Sequence, residues 1–138
     1  MRHWVAVISR SHAEIAAASG FLQVCHGKER PLKPTRAGDE FFIYCPRAEM
    51  GAGEVLKQIA FRGTFDDDRI YQIEQGPGFC PFRKDVTFDP DFRAVPIKDV
   101  KGLELTSNPH WGMLARRGFF EISAHDAALF REYSRAAV

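Results

Sequence analysis

The feature that most constrains the fold of this chain is a succession of short segments with strand-type composition, separated by turns rather than by long helices. Trp4–Ser9 reads WVAVIS and Glu40–Cys45 reads EFFIYC, and both are rich in β-branched and aromatic residues. The other candidates are 21–25, 55–65, 70–74, 83–88 and 119–122, with an edge strand at 94–97, and residues 47–53 are predicted to form a loop. Because strands and helices do not alternate, we expect an α+β fold built on a small mixed barrel of about five to seven strands, not a Rossmann-type sheet.

Three helices are expected around this barrel, each from its own end signals. The sequence Ser11-His-Ala-Glu14 matches a capping box before an alanine-rich stretch, and Gly20 is a suitable helix stop. Asn108 offers an N-cap followed by a proline at the first helical position. Ser123 begins a second capping-box-like start. These signals predict peripheral helices near residues 12–18, 109–116 and 124–135.

Length, charge and cysteine content limit the class of protein. The 138 residues predict one domain over 1–138, with a core that needs neither disulfides nor metals. The formal net charge is only +1, so a polyanionic partner requires a local basic surface. Three cysteines without a CxxC pair argue against a disulfide framework and a structural zinc site, and no signal peptide or membrane span is recognisable. We therefore expect a cytoplasmic protein with no cofactor and no bound metal.

The segment Gly20–Lys28 carries the strongest candidates for ligand binding. It predicts a strand that ends near His26 and is followed by Gly27 and Lys28. A glycine between an imidazole and an ammonium group lets the backbone approach a ligand closely. Gln23, His26 and Lys28 are the leading candidates, with His26 meeting a base edge and Lys28 a phosphate. The alternative is that His26 is a surface histidine in a basic loop.

Residues at other strand ends add candidates for the same pocket. The aromatic candidates, which would either stack on a nucleobase or fill the core, are Trp4, Tyr44, Phe79 and Trp111. Ser9 and Arg10 end the first strand and would place a hydroxyl and a guanidinium at the barrel mouth, unless they only connect a strand to a helix. Arg83 follows a proline-braced loop and is a candidate for a phosphate contact. Arg116 and Arg117 are expected on the solvated surface.

The order of these segments resembles the EVE domain family of the PUA-like superfamily, to which the YTH and ASCH domains are related. The resemblance is carried by Trp4–Arg10, Gly20–Lys28, Ala37–Asp39 with Phe41–Tyr44, Pro81–Arg83 and Gly118–Ser123. It extends over nearly the whole chain. It implies a curved β-barrel with helices packed around it. It also implies a concave pocket that receives a nucleobase, often a modified one.

Taken together, these features favour a non-catalytic module that binds nucleic acid, DNA or RNA, and captures a nucleobase in a pocket at the barrel mouth. The base would have to be single-stranded or flipped to enter. One alternative is a nucleic-acid-processing enzyme of the ASCH type, with His26 as general acid or base and Lys28 or Arg83 on a phosphate. Another is a sensor of free nucleosides or nucleotides. Pairing of Cys25 with His26 as a catalytic dyad is disfavoured, because neighbours on a strand point to opposite faces.

Overall fold

The computed structural model describes residues 1–137 and shows a mixed β-sheet that curls into a half-barrel, with four α-helices in this part of the chain. The strands are β1 (His3–Val7), β2 (Phe21–Leu22), β3 (Glu40–Glu49), β4 (Ala52–Phe65), β5 (Tyr71–Gln72), β6 (Phe82–Phe88), β7 (Val95–Pro96) and β8 (Phe119–Ile122). The helices are α1 (Arg10–Ser19), α2 (Glu104–Ser107), α3 (Trp111–Arg117) and α4 (Ala124–Ala136). Short 3₁₀ turns occupy Cys25–Gly27, Arg30–Leu32 and Ile97–Asp99.

The hydrogen-bonded path through the sheet runs β2–β6–β4–β3–β1–β8, with β5 paired to β6 and β7 paired to β4. β1 lies parallel to β3, and the other pairs within residues 1–137 are antiparallel. The α+β class and the curved β-barrel architecture are therefore confirmed. Residues 1–137 contain eight strands rather than five to seven, and β2, β5 and β7 are only two residues long, shorter than the segments 21–25, 70–74 and 94–97 predicted for them.

Two layers of hydrophobic core lie on opposite faces of β3. Phe41 packs against Phe65 and Phe88, with ring centroids 5.3 and 5.4 Å apart. Its neighbour Phe42 packs against Phe130 of α4 at 5.1 Å. Since successive side chains on a strand point to opposite faces, a strand buried on both faces is apolar throughout. This accounts for the unbroken run that predicts β3 so strongly.

The start of α1 differs from the prediction, whereas its end agrees. α1 begins at Arg10, with Ser9 at the N-cap. The predicted capping box at Ser11 is wrong, because the Ser11 hydroxyl donates instead to Glu49 on the β3–β4 hairpin at 2.9 Å. The helix ends at Gly20 as predicted, where φ is 74° and the left-handed backbone favours glycine.

The two C-terminal helix predictions are confirmed with small shifts. The Ser123 hydroxyl accepts from the Asp126 N–H at 3.2 Å, which caps α4. The helix predicted over 109–116 is α3, which starts at Trp111. The Asn108 side chain accepts from the His110 N–H at 2.8 Å, so it caps the turn that leads into α3. None of the helices in residues 1–137 has the length and apolar character needed to cross a membrane.

β3 and β4 form a long hairpin, part of which replaces an expected loop. The prediction of a loop over 47–53 is wrong, since β3 continues to Glu49 and β4 begins at Ala52. Gly51 and Gly53 have φ of 65° and 78°, the left-handed backbone that tight hairpin turns require. The hairpin thus reaches past the end of β1, to the place where the cleft described next is found.

Candidate ligand-binding cleft

A cleft of about 780 Å³ opens where β1 ends. Its walls come from α1, the segment after β2, the distal part of the β3–β4 hairpin, the loop before β6 and the last turn of α3. The apolar part of the wall includes Val7, Ile8, Ile15, Phe21 and Phe79. A concave, partly apolar surface of this size is typical of a ligand-binding site.

The chain after β2 makes a left-handed turn, so the strand predicted over 21–25 is only two residues long. Cys25, His26 and Gly27 have φ of 50°, 60° and 83°, and the Gly27 N–H donates to the Val24 carbonyl at 2.9 Å. A left-handed backbone costs roughly 1–2 kcal/mol for each residue that carries a Cβ. Surrounding contacts must therefore hold this turn, which leaves His26 and Lys28 exposed at the cleft.

Two contacts hold the left-handed turn in place. The Cys25 thiol donates to the Arg117 carbonyl at the end of α3, with 3.1 Å between sulfur and oxygen. A Cβ on Gly27 would overlap Pro81, so the close approach of the turn to the next loop requires glycine. Burial raises the pKa of Cys25, although the charges of Lys28 and Arg117 oppose this. Cys25 is therefore a neutral hydrogen-bond donor in the wall, not a thiolate paired with His26.

The rim of the cleft is basic although the net charge of the chain is only +1. Lys28, Arg47, Arg116 and Arg117 line it, and Glu49 is the one carboxylate residue among the described lining residues. Clustering cations around a cleft raises the local concentration of anionic ligands. The local basic surface that a polyanionic partner requires is therefore present here.

A family model described as the EVE domain matches residues 2–133. The chain belongs to the EVE domain family. The family has a PUA-like fold, which often binds RNA or DNA.

Relatives of this EVE domain protein match most of its length. It is 35% identical over 126 residues to a UPF0310 protein of Streptococcus mutans, covering 89% of each chain. It is 36% identical over 126 residues to the UPF0310 protein YdcG of Bacillus subtilis, covering 90% of this chain and 86% of that one. It is 37% identical over 134 residues to the UPF0310 protein msl3206 of Mesorhizobium japonicum, covering 94% and 89%.

Solved structures share the fold of this EVE domain at low sequence identity. The NMR structure of Rpa0253 from Rhodopseudomonas palustris has a TM-score of 0.67 and 15% identity, covering 100% of this chain and 96% of that one. A hypothetical protein from Leishmania major has a TM-score of 0.65 and 10% identity, covering 99% and 96%. At these identities the similarity supports the fold alone.

Several of the residues proposed from the sequence lie together along the cleft. They are Ser9, Gln23, His26, Gly27, Lys28 and Phe79. The Ser9 Oγ and Gln23 Oε1 atoms are buried and have no hydrogen-bond partner among the described residues. Buried polar atoms are nearly always hydrogen-bonded in native proteins, so a polar group that enters the cleft can bond to these two. Phe79 is 44% exposed and presents its ring at the mouth.

Trp4 does not line the cleft and belongs to the core instead. Its indole stacks on Phe119, with ring centroids 5.2 Å apart, and its Nε1–H donates to the buried Asp39 at 3.0 Å. Trp4 is the second residue of β1, and its side chain joins the core layer of Phe41 and Phe65. The interpretation of Trp4 as a stacking residue is therefore corrected.

Tyr44 and Trp111 likewise pack in the second core layer. Their ring centroids are 5.5 Å apart, and Trp111 also packs against Phe120 at 6.2 Å. The prediction that Trp111 and His26 share one cavity is wrong. α3 places its first residue against the sheet, and only its last turn reaches the cleft.

Arg10 and Arg83 are held beside the cleft by partners of their own. Arg10 donates to Gln58 at 2.6 Å. The Arg83 guanidinium lies over the Phe21 ring, with Cζ 3.8 Å from the centroid, and donates to Gln75 at 3.1 Å. Because Phe21 and Gln75 line the cleft, Arg83 supports its wall from behind rather than offering a free guanidinium at the rim.

Other lining residues were not identified from the sequence. His12 and Ile15 lie on one face of α1, and their i, i+3 spacing was a usable signal. Arg47 and Met50 belong to the hairpin region for which the sequence predicts a loop. Arg116 and Arg117 are exposed as predicted, and they also line the cleft because α3 ends there.

Outside the cleft, Glu104, His125 and Asp126 form a cluster whose ligand-type atoms lie within 4.8 Å of one another. The Asp126 carboxylate already accepts from the backbone N–H groups of Glu104 and Leu105, at 2.9 and 2.8 Å. These bonds satisfy the start of α2. The cluster is thus explained by the junction of α2 with α4.

Proposed function

We propose that this protein is a non-catalytic nucleic-acid-binding module that captures a nucleobase, including a modified one, in the cleft. The observation that carries the proposal is the meeting of an aromatic wall, unpartnered polar atoms and a basic rim at one site. An aromatic ring stacks on any base, polar atoms bond to a base edge, and cations hold phosphates. The frequent binding of RNA or DNA by PUA-like folds supports the same function.

The dimensions and chemistry of the cleft suit a flat heterocycle attached to a charged backbone. A volume of about 780 Å³ falls within the range of roughly 300–1,000 Å³ that small-molecule sites occupy. Phe21 and Phe79 offer ring faces to the base. Ser9 and Gln23 offer a hydroxyl and an amide oxygen to its edge. The proposal includes a reducing, cytoplasmic setting, which the three free cysteines favour.

Lys28→Ala is expected to weaken the binding of a single-stranded oligonucleotide without changing base preference, because a phosphate contact positions but does not specify. The slope of log K against log salt concentration should fall by about one unit. Fluorescence anisotropy titrations at several salt concentrations measure both quantities. The control is Lys98→Ala, since Lys98 is exposed on the 3₁₀ turn Ile97–Asp99 and outside the cleft. A changed base preference with an unchanged slope would contradict a phosphate role for Lys28.

Phe79→Ala is expected to reduce affinity by about 1–3 kcal/mol through loss of a stacking ring. Its thermal stability should stay close to wild type, because the ring is half exposed. Trp111→Ala is the contrasting variant: it should lower stability and leave the affinity of the folded protein intact, since its ring packs on Tyr44 and Phe120. A larger affinity loss from Trp111→Ala than from Phe79→Ala would reject this placement of the stacking surface.

A panel of ligands tests the function as a whole. Oligonucleotides of DNA and RNA, with and without modified bases, should raise the melting temperature more than free nucleosides do, because they add phosphate contacts. Labelled strands should remain at full length after incubation. Stabilisation by nucleosides alone would favour the sensor alternative, and shortened strands would favour the enzyme.

A further inference from the structure

The distal part of the β3–β4 hairpin, residues 46–57, is here called the hairpin arm and projects past the strands that flank it. β1 pairs with β3 only as far as Tyr44, and β7 pairs with β4 only at Gln58 and Ile59. Residues 50–55 at the tip are all exposed. The arm is therefore longer than the packing of the half-barrel requires.

The hairpin arm curves toward the cleft. Between the cross-strand pairs Ile43–Phe61 and Glu49–Ala52, β3 advances six residues while β4 advances nine, through three register shifts. A strand that carries extra residues follows the outside of a bend, so the arm bends toward β3 and α1. The Ser11 hydroxyl of α1 holds it there by donating to Glu49 at 2.9 Å.

The tip of the hairpin arm presents an apolar side chain within the basic rim. Met50 is 59% exposed at the turn and lines the cleft together with Arg47 of the same arm. Ile15 of α1 is also exposed at the mouth. Cations around protruding apolar side chains complement a partner that is anionic on its outside and has stacked apolar faces within. A nucleic-acid duplex has this chemistry.

We propose that the hairpin arm engages double-stranded nucleic acid, with Met50 inserted as a wedge where a base has left its stack to enter the cleft. The inference rests on the proposed function and deepens it by naming the duplex as the substrate. Unstacking a base is unfavourable, and an apolar side chain that fills the gap offsets part of that penalty. Methionine is unbranched and flexible, which suits an irregular gap. Arg47 contacts the adjacent phosphate.

The test compares duplexes with single strands. End-labelled DNA and RNA duplexes, each with one mismatched pair to ease flipping, are titrated by fluorescence anisotropy beside the same labelled strands alone. Wild type should bind at least one kind of mismatched duplex. Met50→Ala should weaken that binding by about tenfold or more, the expected effect of losing a buried methionine side chain, and should weaken single-strand binding far less. Met50→Leu should keep most of the duplex affinity.

The matched control is Met113→Ala. Met113 is 61% exposed on α3 and does not line the cleft, so its loss should change neither affinity. The wedge is overturned if Met50→Ala weakens duplex and single strand equally, if it changes neither, or if wild type binds single strands but no duplex. In those cases single-strand binding leaves the proposed function of the cleft standing. If wild type binds neither form, the proposed function fails as well. A response confined to the DNA or the RNA duplex identifies which of the two is the partner.

Discussion

Glu40→Gln is expected to lower the free energy of unfolding by about 3 kcal/mol. The Glu40 carboxylate is fully buried, contacts His3 Nδ1 at 2.8 Å and accepts hydrogen bonds from Arg62 and Arg131. Removing one partner of a buried ion pair typically costs about 3–5 kcal/mol, because it leaves an uncompensated charge. The lower end applies here, since Arg62 and Arg131 keep partial access to solvent. β3, α4 and β4 would all lose a shared contact.

Urea denaturation of the wild type and the variant measures this difference. Glu121→Gln is the matched control, because Glu121 also pairs with an arginine, Arg2, but both side chains are largely exposed. Exposed ion pairs contribute little to stability, so this control should unfold near the wild-type midpoint. Equal losses from the two variants would show that burial does not set the strength of the Glu40 cluster.

The same cluster predicts an acid-dependent loss of stability. Burial opposes ionisation of Glu40, but hydrogen bonds from Arg131, Arg62 and His3 outweigh it and hold the pKa of this carboxyl below its usual range. Because the pKa of Glu40 is lower in the folded than in the unfolded protein, the ionised carboxylate stabilises the fold above the unfolded-state pKa of about 4.3. This stabilisation is lost as pH falls through the folded-state pKa. Below about pH 4, wild type should therefore lose stability more steeply than Glu40→Gln.

Gly27→Ala is expected to disturb both stability and ligand binding. At φ of 83°, a left-handed backbone with a Cβ costs about 1–3 kcal/mol. The new Cβ would also overlap Pro81, and overpacking typically adds a further 1–3 kcal/mol. Relief of the overlap would displace the left-handed turn that presents His26 and Lys28. Denaturation and oligonucleotide titration should both show a loss.

Gly38→Ala separates the two contributions. Gly38 has φ of 84°, nearly the same as Gly27, but a Cβ there would meet nothing within 4 Å. It should therefore show the backbone penalty alone and leave oligonucleotide affinity unchanged. If the two variants are equally destabilised, the contact with Pro81 does not restrain the turn.

Elements with strong local signals were predictable from the sequence. β8 has the bounds Phe119–Ile122 that its composition predicts, and α4 begins after the Ser123 cap. The run at Glu40–Cys45 predicts a strand from its β-propensity, and β3 begins there. In each case the conformational preference of the segment agrees with the way its side chains are buried in the fold. α2 has only four residues, too few for such agreement to show.

The candidate site was predictable only in part. The segment after β2 was recognised from its glycine and basic residues, and it does line the cleft. The strand expected through Cys25 is instead a left-handed turn, because contacts with Arg117 and Pro81 outweigh local β preference. Trp4 and Trp111 are of a residue type that often stacks on bases, but whether they are buried depends on which strand or helix covers them. The sequence pattern does not show which element packs over each tryptophan.

The sequence by itself determined the order of strands and helices, the family and the residues of the basic segment, because these follow from local preference and from composition. The tertiary structure alone decided which side chains meet. The bulges of β4 bend the hairpin arm toward α1, and the end of α3 brings Arg116 and Arg117 beside Lys28. These are contacts between residues far apart in sequence, set by the curl of the whole sheet. A local sequence pattern contains no information about such contacts.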